Sequence, residues 1–315
     1  MSAAGDIDEI PLPAARANRP VTLAHRAEFA LALALGAFFR LIGVDAASFI
    51  AGKFTRLVGP LIAPIQHRGR VNLKIAFPDM NDADAARALS DVWENLGRTT
   101  AEFAHMDKFD PDGARVEIVG RERLERIAGG DQPAIFVSGH FANWEVMSIA
   151  LHAVGVDYGV IYRAANNPLV DALIIRMRAR VMSRRQIPKG KRGGRDMIGA
   201  LTEGASLAML VDQKLNTGGV LSPFFGRPAM TAPAAARLAL KYSAPVIPIE
   251  IERLKGAHFR VTAHEAIEFA PSGDIAADTQ ALTDRINLEL EKLIRRRPGQ
   301  WLWLHRRWPK DVYRP

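Results

Sequence analysis

The chain of 315 residues is long enough for one large α/β domain or two small ones, and its 48% hydrophobic content excludes disorder for the body of the chain. The absence of cysteine excludes disulfides, thiolate catalysis and cysteine-ligated zinc. The 42 Lys and Arg residues outnumber the 34 Asp and Glu residues, and the net charge of +8 favours a polyanionic partner, which is nucleic acid, an anionic membrane face or a phosphorylated substrate.

The N-terminal part divides into a flexible tail, residues 1–20, and a helical region with a membrane anchor, residues 21–109. Prolines and a lack of apolar patterning predict the tail. Residues 29–44 form an apolar run interrupted only by Arg40, and this run is shorter than the ~20 apolar residues of a typical spanning helix. Basic residues flank the run, which favours a membrane-anchoring helix. The alternative is a helix that packs on the rest of the protein.

The pattern changes along the remainder of the chain. Residues 82–106 carry a helical apolar stripe, which Asn81 or Asp82 can cap. After Pro111, short β-like runs alternate with helical segments. Strands are predicted at residues 134–138, 160–162, 207–211 and 246–251, with an antiparallel pair at 259–263 and 266–269. This alternation indicates an α/β domain, residues 110–315, with a mainly parallel mixed sheet flanked by helices.

The most informative segment is residues 134–145, an apolar strand followed by a small turn, a polar cluster and a helix. The carboxyl ends of parallel strands are where α/β proteins place their sites. His140 follows Gly139 at this edge, and Glu145 lies further along. A neutral imidazole can take a proton from a hydroxyl, and a nearby carboxylate can orient the ring or contact the hydroxyl. This pair is suited to direct attack of an alcohol on a thioester. The alternative is a histidine that is merely hydrogen-bonded in a turn.

The segment Ser138-Gly-His-Phe-Ala-Asn-Trp-Glu145 resembles the signature of the late acyltransferases of lipid A biosynthesis, the lauroyl and myristoyl transferases. They belong to the lysophospholipid acyltransferase superfamily, whose general motif is His-x-x-x-x-Asp/Glu. The bare motif is weak, and the neighbouring Asn143-Trp144 makes it much stronger. The resemblance implies that His140 is the general base and that Glu145 orients His140 or holds the acceptor hydroxyl. Asn143 is assigned to substrate binding on the same ground.

Further blocks resemble the same family in order. They are Tyr162-Arg163 with Asn167-Pro168, the helix that carries Arg176 and Arg178, the strand end at Asp212-Gln213, the segment Pro223-Phe-Phe-Gly-Arg227, and the closing Gln300-Trp-Leu-Trp-Leu-His-Arg-Arg-Trp308. The resemblance assigns Arg178 and Asp212 to substrate binding. It implies that they form an ion pair beside the pocket, or that Arg178 stabilises the oxyanion. Arg163 and Arg227 are predicted to bind the lipid phosphates, because arginine makes bidentate contacts to phosphate.

Several other features bear on the site and its surroundings. Residues 183–195 are strongly basic and predict a loop that faces an anionic bilayer or an acidic acyl carrier protein, with a plain solvated loop as the alternative. This segment lacks the interleaved aromatic residues of a nucleic-acid site. Trp301, Trp303 and Trp308 either pack in the core or lie at a membrane interface. Ser138 lacks the Gly-x-Ser-x-Gly context of a nucleophile. Neither metal-ligand spacing nor a nucleotide-binding fingerprint occurs, so no metal and no cofactor are predicted.

The resemblance also implies the partners. It implies an acyl carrier protein thioester as the acyl donor, a lipid A precursor as the phosphorylated lipid acceptor, and a position on the cytoplasmic face of the anionic inner membrane. No nucleic acid partner is predicted. One alternative is an acyltransferase for another lysolipid, such as a glycerophospholipid or aminolipid. A second alternative is a catalytically inactive lipid-binding relative, against which the intact pair of His140 and Glu145 argues.

Overall fold

The computed structural model describes residues 20–130, 132–215 and 217–314, so the predicted tail lies outside the described residues except for Pro20. The helices are α1 (Leu23–Ile42), α2 (Val44–Val58), α3 (Ala63–Ala76), α4 (Asp82–Glu102), α5 (Arg121–Ala128), α6 (Glu145–Ala153), α7 (Pro168–Arg178), α8 (Lys191–Thr202), α9 (Ala234–Tyr242) and α10 (Ile275–Arg296). The strands are β1 (Val116–Val119), β2 (Ile135–Ser138), β3 (Tyr158–Tyr162), β4 (Gln186–Pro188), β5 (Ser206–Leu210), β6 (Val220–Phe224), β7 (Arg227–Thr231), β8 (Val246–Arg253) and β9 (Phe259–Ala263).

One large sheet organises the fold. Its strands lie in the order β1-β9-β8-β2-β5-β3-β4, and every neighbouring pair is parallel except β8 and β9. β6 and β7 form a separate antiparallel hairpin. Every residue of β2 and β3 is buried, as expected of parallel strands that are covered on both faces. The predicted mainly parallel mixed sheet with flanking helices is confirmed.

Two local predictions are wrong. The predicted strand at residues 266–269 does not form. β9 pairs with β1 on one side and with β8 on the other, so its antiparallel partner is β8, the strand that precedes it. The basic segment 183–195 is not a loop throughout, since β4 joins the edge of the sheet beside β3 and α8 begins at Lys191. Ile187 within this segment is only 3% exposed. Burial of this apolar side chain stabilises the pairing of the segment with the sheet.

The apolar run of the N-terminal region is divided between two helices. Gly43 has φ +80°, a left-handed conformation that separates α1 from α2. Among the described residues, none of the helices combines the length and the apolar character needed to cross a membrane. No residue of α1 is buried, and Leu41, Leu57 and Leu61 are 85%, 76% and 80% exposed. Residues 23–61 therefore present an apolar surface to the exterior, which we call the α1–α2 surface.

The other side of α2 packs tightly on α4. A Cβ atom at Gly97 would lie 2.3 Å from the carbonyl oxygen of Ala51, so the two backbones approach more closely than a side chain would permit. The hydroxyl of Thr55 donates to the carbonyl of Trp93 (2.7 Å) across the same contact. The hydrophobic core continues from α4 into the sheet, across the predicted border at residue 110. The division into two domains stays a prediction.

Candidate active site

The candidate catalytic residues meet at the carboxyl edge of two adjacent strands. β2 and β5 are parallel neighbours in which Ser138 is paired with Leu210, so the residues two positions further, His140 and Asp212, leave the sheet side by side. The backbone N–H of His140 donates to Asp212 Oδ2 (2.8 Å), and ring nitrogen Nδ1 lies 2.8 Å from Oδ1. Because an ionised carboxylate can only accept, Nδ1 carries the ring proton and Nε2 is left as the acceptor.

Asp212 is held by three hydrogen bonds. Its side chain is fully buried, and its third hydrogen bond comes from Trp301 Nε1 (2.8 Å). Burial acts to raise the pKa of this carboxyl, but the positive charge that the His140 ring carries when protonated and the hydrogen bonds from His140 outweigh burial and lower the pKa of Asp212 well below its ordinary value. Asp212 is therefore an anion that fixes the tautomer and the orientation of the His140 ring.

The turn after β2 has a constrained backbone. A Cβ atom at Gly139 would lie 3.2 Å from Asp212 Oδ2, so glycine permits the close approach of this carboxylate. Ala142 has φ +43°, which costs on the order of 1 kcal/mol for a residue with a side chain. The carbonyl of Ala142 accepts hydrogen bonds from Asn95 Nδ2 and Thr99 Oγ1, both at 2.9 Å, and both donors lie on α4. These hydrogen bonds offset the backbone strain and hold the turn in place.

The C-terminal segment pairs with the same turn. The backbone N–H of Leu302 donates to the carbonyl of His140 (3.1 Å), and the N–H of Ala142 donates to the carbonyl of Gln300 (2.8 Å). The closing part of the sequence therefore supports the turn that carries His140. All three tryptophans of this segment are fully buried, so they pack in the core rather than at a membrane interface: Trp301, Trp303 and Trp308.

Glu145 and Arg178 form a second buried pair. Arg178 Nε donates to Glu145 Oε2 (2.9 Å) and Nη2 donates to Oε1, so the contact is bidentate. The side chains of Arg178 and Glu145 are only 14% and 7% exposed. Burial acts to lower the pKa of Arg178, but the charge of Glu145 outweighs it and raises this pKa above its usual value. The predicted ion pair between Arg178 and Asp212 is wrong, because each residue has a different partner. His140 is likewise oriented by Asp212 and not by Glu145.

A cavity of ≈ 290 Å³, the catalytic cavity, brings His140 and the second pair to one surface. His140, Glu145 and Arg178 line it, together with the exposed Arg163. Gln213 also lines it, and the amide Nε2 of Gln213 lies 3.4 Å from His140 Nε2. The Gln213 amide therefore lies within hydrogen-bonding reach of the ring nitrogen that Asp212 leaves free.

Three predicted binding residues do not line this cavity: Asn143, Asp212 and Arg227. Asn143 is fully buried: its amide donates to Glu102 Oε2 (3.0 Å), and its side-chain oxygen accepts from the backbone N–H of Glu145 (3.2 Å). Asn143 therefore supports the turn and the start of α6 from behind. Arg227 is exposed at the start of β7, where the separate hairpin carries it away from the catalytic cavity.

A larger cavity of ≈ 980 Å³ adjoins the catalytic cavity. The two share part of their walls, formed by Ile161, Arg163, Lys189, Leu210 and Gln213. Two adjoining cavities suit a reaction between two substrates. No group of three or more His, Asp or Glu side chains in the described part of the chain is arranged to hold a metal ion.

Some neighbours of His140 were not identified as site residues from the sequence. Besides Gln213 and Trp301, these include His305, whose ring centroid lies 6.3 Å from that of His140. Burial lowers the pKa of His305 to about 4, although the charge of Asp212 acts in the opposite direction. The closing segment was the only sequence feature that could have indicated these neighbours. No local sequence pattern shows that this segment folds back onto the turn after β2.

Comparisons with known proteins identify the family of the chain. The sequence model of the family described as bacterial lipid A biosynthesis acyltransferase matches residues 18–310. The chain is 28% identical to the lipid A biosynthesis lauroyltransferase of Escherichia coli over 250 residues, and the aligned region covers 78% of each chain. It is 29% identical over 245 residues to the lipid A biosynthesis acyltransferase of Haemophilus influenzae, covering 76% of this chain and 75% of the relative.

The lipid A biosynthesis myristoyltransferase of Escherichia coli is 23% identical over 263 residues, covering 81% of this chain and 78% of the relative. Among solved structures, the 1-acyl-sn-glycerophosphate acyltransferase PlsC from Thermotoga maritima matches with a TM-score of 0.33 and 17% identity over 78% of this chain and 96% of that chain. The family match includes the turn after β2, both buried pairs and the closing segment, and it shows that the chain is an acyltransferase of the bacterial lipid A biosynthesis acyltransferase family.

Proposed function

We propose that this acyltransferase moves a fatty acyl chain from an acyl carrier protein thioester to a hydroxyl of a phosphorylated lipid A precursor, with His140 as the general base. The observation that carries the proposal is the hydrogen bond between His140 Nδ1 and Asp212 Oδ1 (2.8 Å), which leaves Nε2 as an acceptor in the wall of a cavity. The names of the lauroyl and myristoyl relatives support a fatty acyl group and a lipid A acceptor.

The first step is the attack on the thioester. The acceptor hydroxyl displaces the Gln213 amide from His140 Nε2 and gives its proton to that nitrogen as its oxygen bonds to the thioester carbonyl carbon. Asp212 stabilises the imidazolium that forms. The tetrahedral intermediate then collapses: the carbon–sulfur bond breaks, the ester remains, and Nε2 returns its proton to the departing thiolate. The reaction needs no covalent enzyme intermediate, and Ser138 is fully buried with its hydroxyl donating to the carbonyl of Ile249 (2.7 Å).

The second buried pair has a different role in this proposal. Both carboxylate oxygens of Glu145 hold Arg178, so Glu145 is a positioning residue. The guanidinium of Arg178 lines the catalytic cavity and keeps N–H groups beyond the two that Glu145 accepts. In this proposal the remaining N–H groups of Arg178 point to the negative charge that develops on the thioester oxygen. Hydrogen-bond donors that are already held in place are the most effective stabilisers of such an oxyanion.

The acceptor reaches the site from the side of the α1–α2 surface. The Asn167 amide donates to the carbonyl of His25 (2.8 Å) and to Glu28 Oε2 (2.9 Å), which fastens α1 beside the segment 163–165 that lines the catalytic cavity. In our proposal the exposed leucines of this surface insert into the cytoplasmic face of the inner membrane, as apolar helix faces do at a bilayer interface. A lipid acceptor embedded in that leaflet would then lie next to His140.

The test is a transfer assay in membranes with labelled lipid A precursor and a series of acyl carrier protein thioesters. We expect His140→Ala to lower transfer by ~10²–10⁴-fold, the usual contribution of a general base. His152→Ala is the matched control, because His152 is exposed on α6 and does not line the catalytic cavity.

Each outcome of this assay has a distinct meaning. Equal transfer by the wild type and His140→Ala would refute the role of His140 as the base. Transfer by the wild type to a lysophospholipid, but not to the lipid A precursor, would replace the proposed acceptor while keeping the mechanism. Transfer from a coenzyme A thioester, but from no carrier protein thioester, would replace the proposed donor.

A further inference from the structure

The larger cavity has an unusual charge distribution. Six of the side chains that line it are basic, and among the described residues that line it none is Asp or Glu. The basic residues are Arg163, Lys189, Lys214, Arg237, Lys241 and Arg306. They come from the ends of three different strands, from α9 and from the closing segment, so the cluster is created by the fold and not by one charged stretch of sequence.

None of these six cations forms an ion pair within the described residues. Several arginines elsewhere on the surface are paired, such as Arg40 with Asp107, Arg115 with Asp45 and Arg185 with Glu203. Unpaired positive charges held around one cavity repel one another. An anionic ligand in the cavity would relieve this repulsion. Basic side chains that are merely solvated do not need to line a cavity together, as these six do.

Lys189 shows how closely the charges are held. It lines both cavities. Partial burial lowers the pKa of Lys189 although the charge of Asp212 acts in the opposite direction, and the neighbouring Arg163 lowers this pKa further. The positive charge of the larger cavity therefore extends to its junction with the catalytic cavity. At that junction Gln213 contacts the base nitrogen of His140.

The deeper wall of the larger cavity is apolar. Ile187, Met209 and Leu238 line it and are 3%, 6% and 8% exposed. A volume of ≈ 980 Å³ lies at the upper end of the range of small-molecule sites, which is roughly 300–1,000 Å³. Cations at the mouth and apolar side chains below them are complementary to a molecule that has an anionic group and a hydrocarbon chain.

We infer that the larger cavity binds a phosphate ester joined to an apolar chain, and that it holds this part of a substrate beside His140. The inference rests on the proposed function for its link to catalysis. Two substrates carry the required chemistry. The lipid acceptor has phosphates on its headgroup and acyl chains attached to the same molecule. The thioester donor has a phosphodiester at one end of its phosphopantetheine arm and the acyl chain on the sulfur at the other end.

The first test measures binding without turnover. The probe is dodecyl phosphate below its micelle concentration, with uncharged dodecyl glucoside as the comparison. Arg237→Ala combined with Lys241→Ala removes two cations that line only the larger cavity. We expect ~10–100-fold weaker binding of dodecyl phosphate and unchanged binding of the glucoside, since charge-assisted hydrogen bonds to phosphate are lost.

The matched control is Lys255→Ala combined with Arg285→Ala. Both residues are exposed and line neither cavity, and their removal lowers the net charge by the same amount. The control should bind dodecyl phosphate like the wild type. Equal affinity of all three proteins for dodecyl phosphate would overturn the inference. Because this readout needs no acyl transfer, it stands or falls separately from the proposed function.

A second test identifies the source of the phosphate. KM is measured separately for an acyl-phosphopantetheine thioester and for the lipid acceptor. A ~10-fold rise in KM for the thioester alone would assign the cavity to the donor arm, and a rise for the lipid alone would assign it to the acceptor. A rise seen only with the complete acyl carrier protein, with dodecyl phosphate binding unchanged, would show that the cations contact the surface of the carrier protein and would overturn the inference.

Discussion

Replacing Asp212 by asparagine separates charge from shape in the candidate active site. Oδ2 accepts from the His140 backbone N–H and from Trp301 Nε1, and Oδ1 accepts from His140 Nδ1. The side-chain amide of asparagine has only one acceptor, its oxygen. The two N–H donors at the Oδ2 position would hold this oxygen there. Its NH₂ group would then face Nδ1 and force the ring proton onto Nε2, so His140 could no longer act as a base.

The expected loss follows from this change of tautomer. In the serine protease triad the same substitution lowers kcat by ~10⁴-fold, and a loss of this size corresponds to about 5 kcal/mol of transition-state stabilisation. We expect a similar fall in kcat for Asp212→Asn with little change in KM, because the substitution alters the base and not the cavity walls. Steady-state transfer assays would measure both constants. The two retained hydrogen bonds lose their charge assistance, so the free energy of unfolding should fall by about 1–2 kcal/mol.

Asp278→Asn is the matched control for this substitution. Asp278 is also buried and accepts hydrogen bonds from the backbone and hydroxyl of Ser272 (2.9 and 2.8 Å) and from the backbone of Gly273 (3.1 Å). It lines neither cavity, so its loss should lower stability without lowering kcat. A kcat for Asp212→Asn within tenfold of the wild-type value would refute the tautomer argument.

Three further predictions concern stability and membrane binding. Gly97→Ala should lower the free energy of unfolding by about 1–3 kcal/mol, measured by thermal unfolding, because the new methyl group would lie 2.3 Å from the carbonyl oxygen of Ala51. Burial acts to raise the pKa of Glu94, but hydrogen bonds from three neighbouring cations lower this pKa to about 2 from 4.5. The free energy of unfolding of the wild type should therefore fall by about 1 kcal/mol, after solvent screening, as pH falls from 4.5 towards 2. Unfolding midpoints measured across this pH range should vary less in Glu94→Gln. Leu41→Glu combined with Leu57→Glu should weaken binding to phosphatidylglycerol vesicles at least ~10-fold in a flotation assay, because both side chains lie exposed on the α1–α2 surface.

Each of these predictions has a control on the same chain. Gly199→Ala lies in α8 with nothing within 4 Å of the new methyl group, so it should not destabilise the protein, and equal losses at the two glycines would contradict the packing argument. Glu289→Gln removes a partly exposed partner of Lys292 and should retain the wild-type dependence of stability on pH. Leu288→Glu changes an exposed leucine on α10 and should leave vesicle binding intact. Vesicle binding that falls equally in both leucine variants would argue against the α1–α2 surface as the membrane contact.

Much of the architecture is encoded locally. The alternation of apolar runs and helical stripes predicted the mainly parallel sheet, because a buried strand and an amphipathic helix have different apolar periods. The cap of α4 was predicted in the same way, and Asn81 Oδ1 does accept from the backbone N–H of Asp84 (2.8 Å). The position of His140 at the end of a buried strand was also a local inference, since it needs only the end of the apolar run. The break at Gly43 was missed, because one glycine in a long apolar run does not reveal its φ angle.

The sequence by itself determined the fold class, the location of the site at the end of β2, and the chemistry available there. Only the tertiary structure decided the partners: His140 pairs with Asp212, 72 positions away, and Glu145 pairs with Arg178, 33 positions away. These pairings depend on strand order, because β5 and not β3 lies beside β2, and local periodicity contains no information about which strands become neighbours. The same holds for the six cations of the larger cavity, which are distant in sequence and meet only where the strand ends, α9 and the closing segment converge.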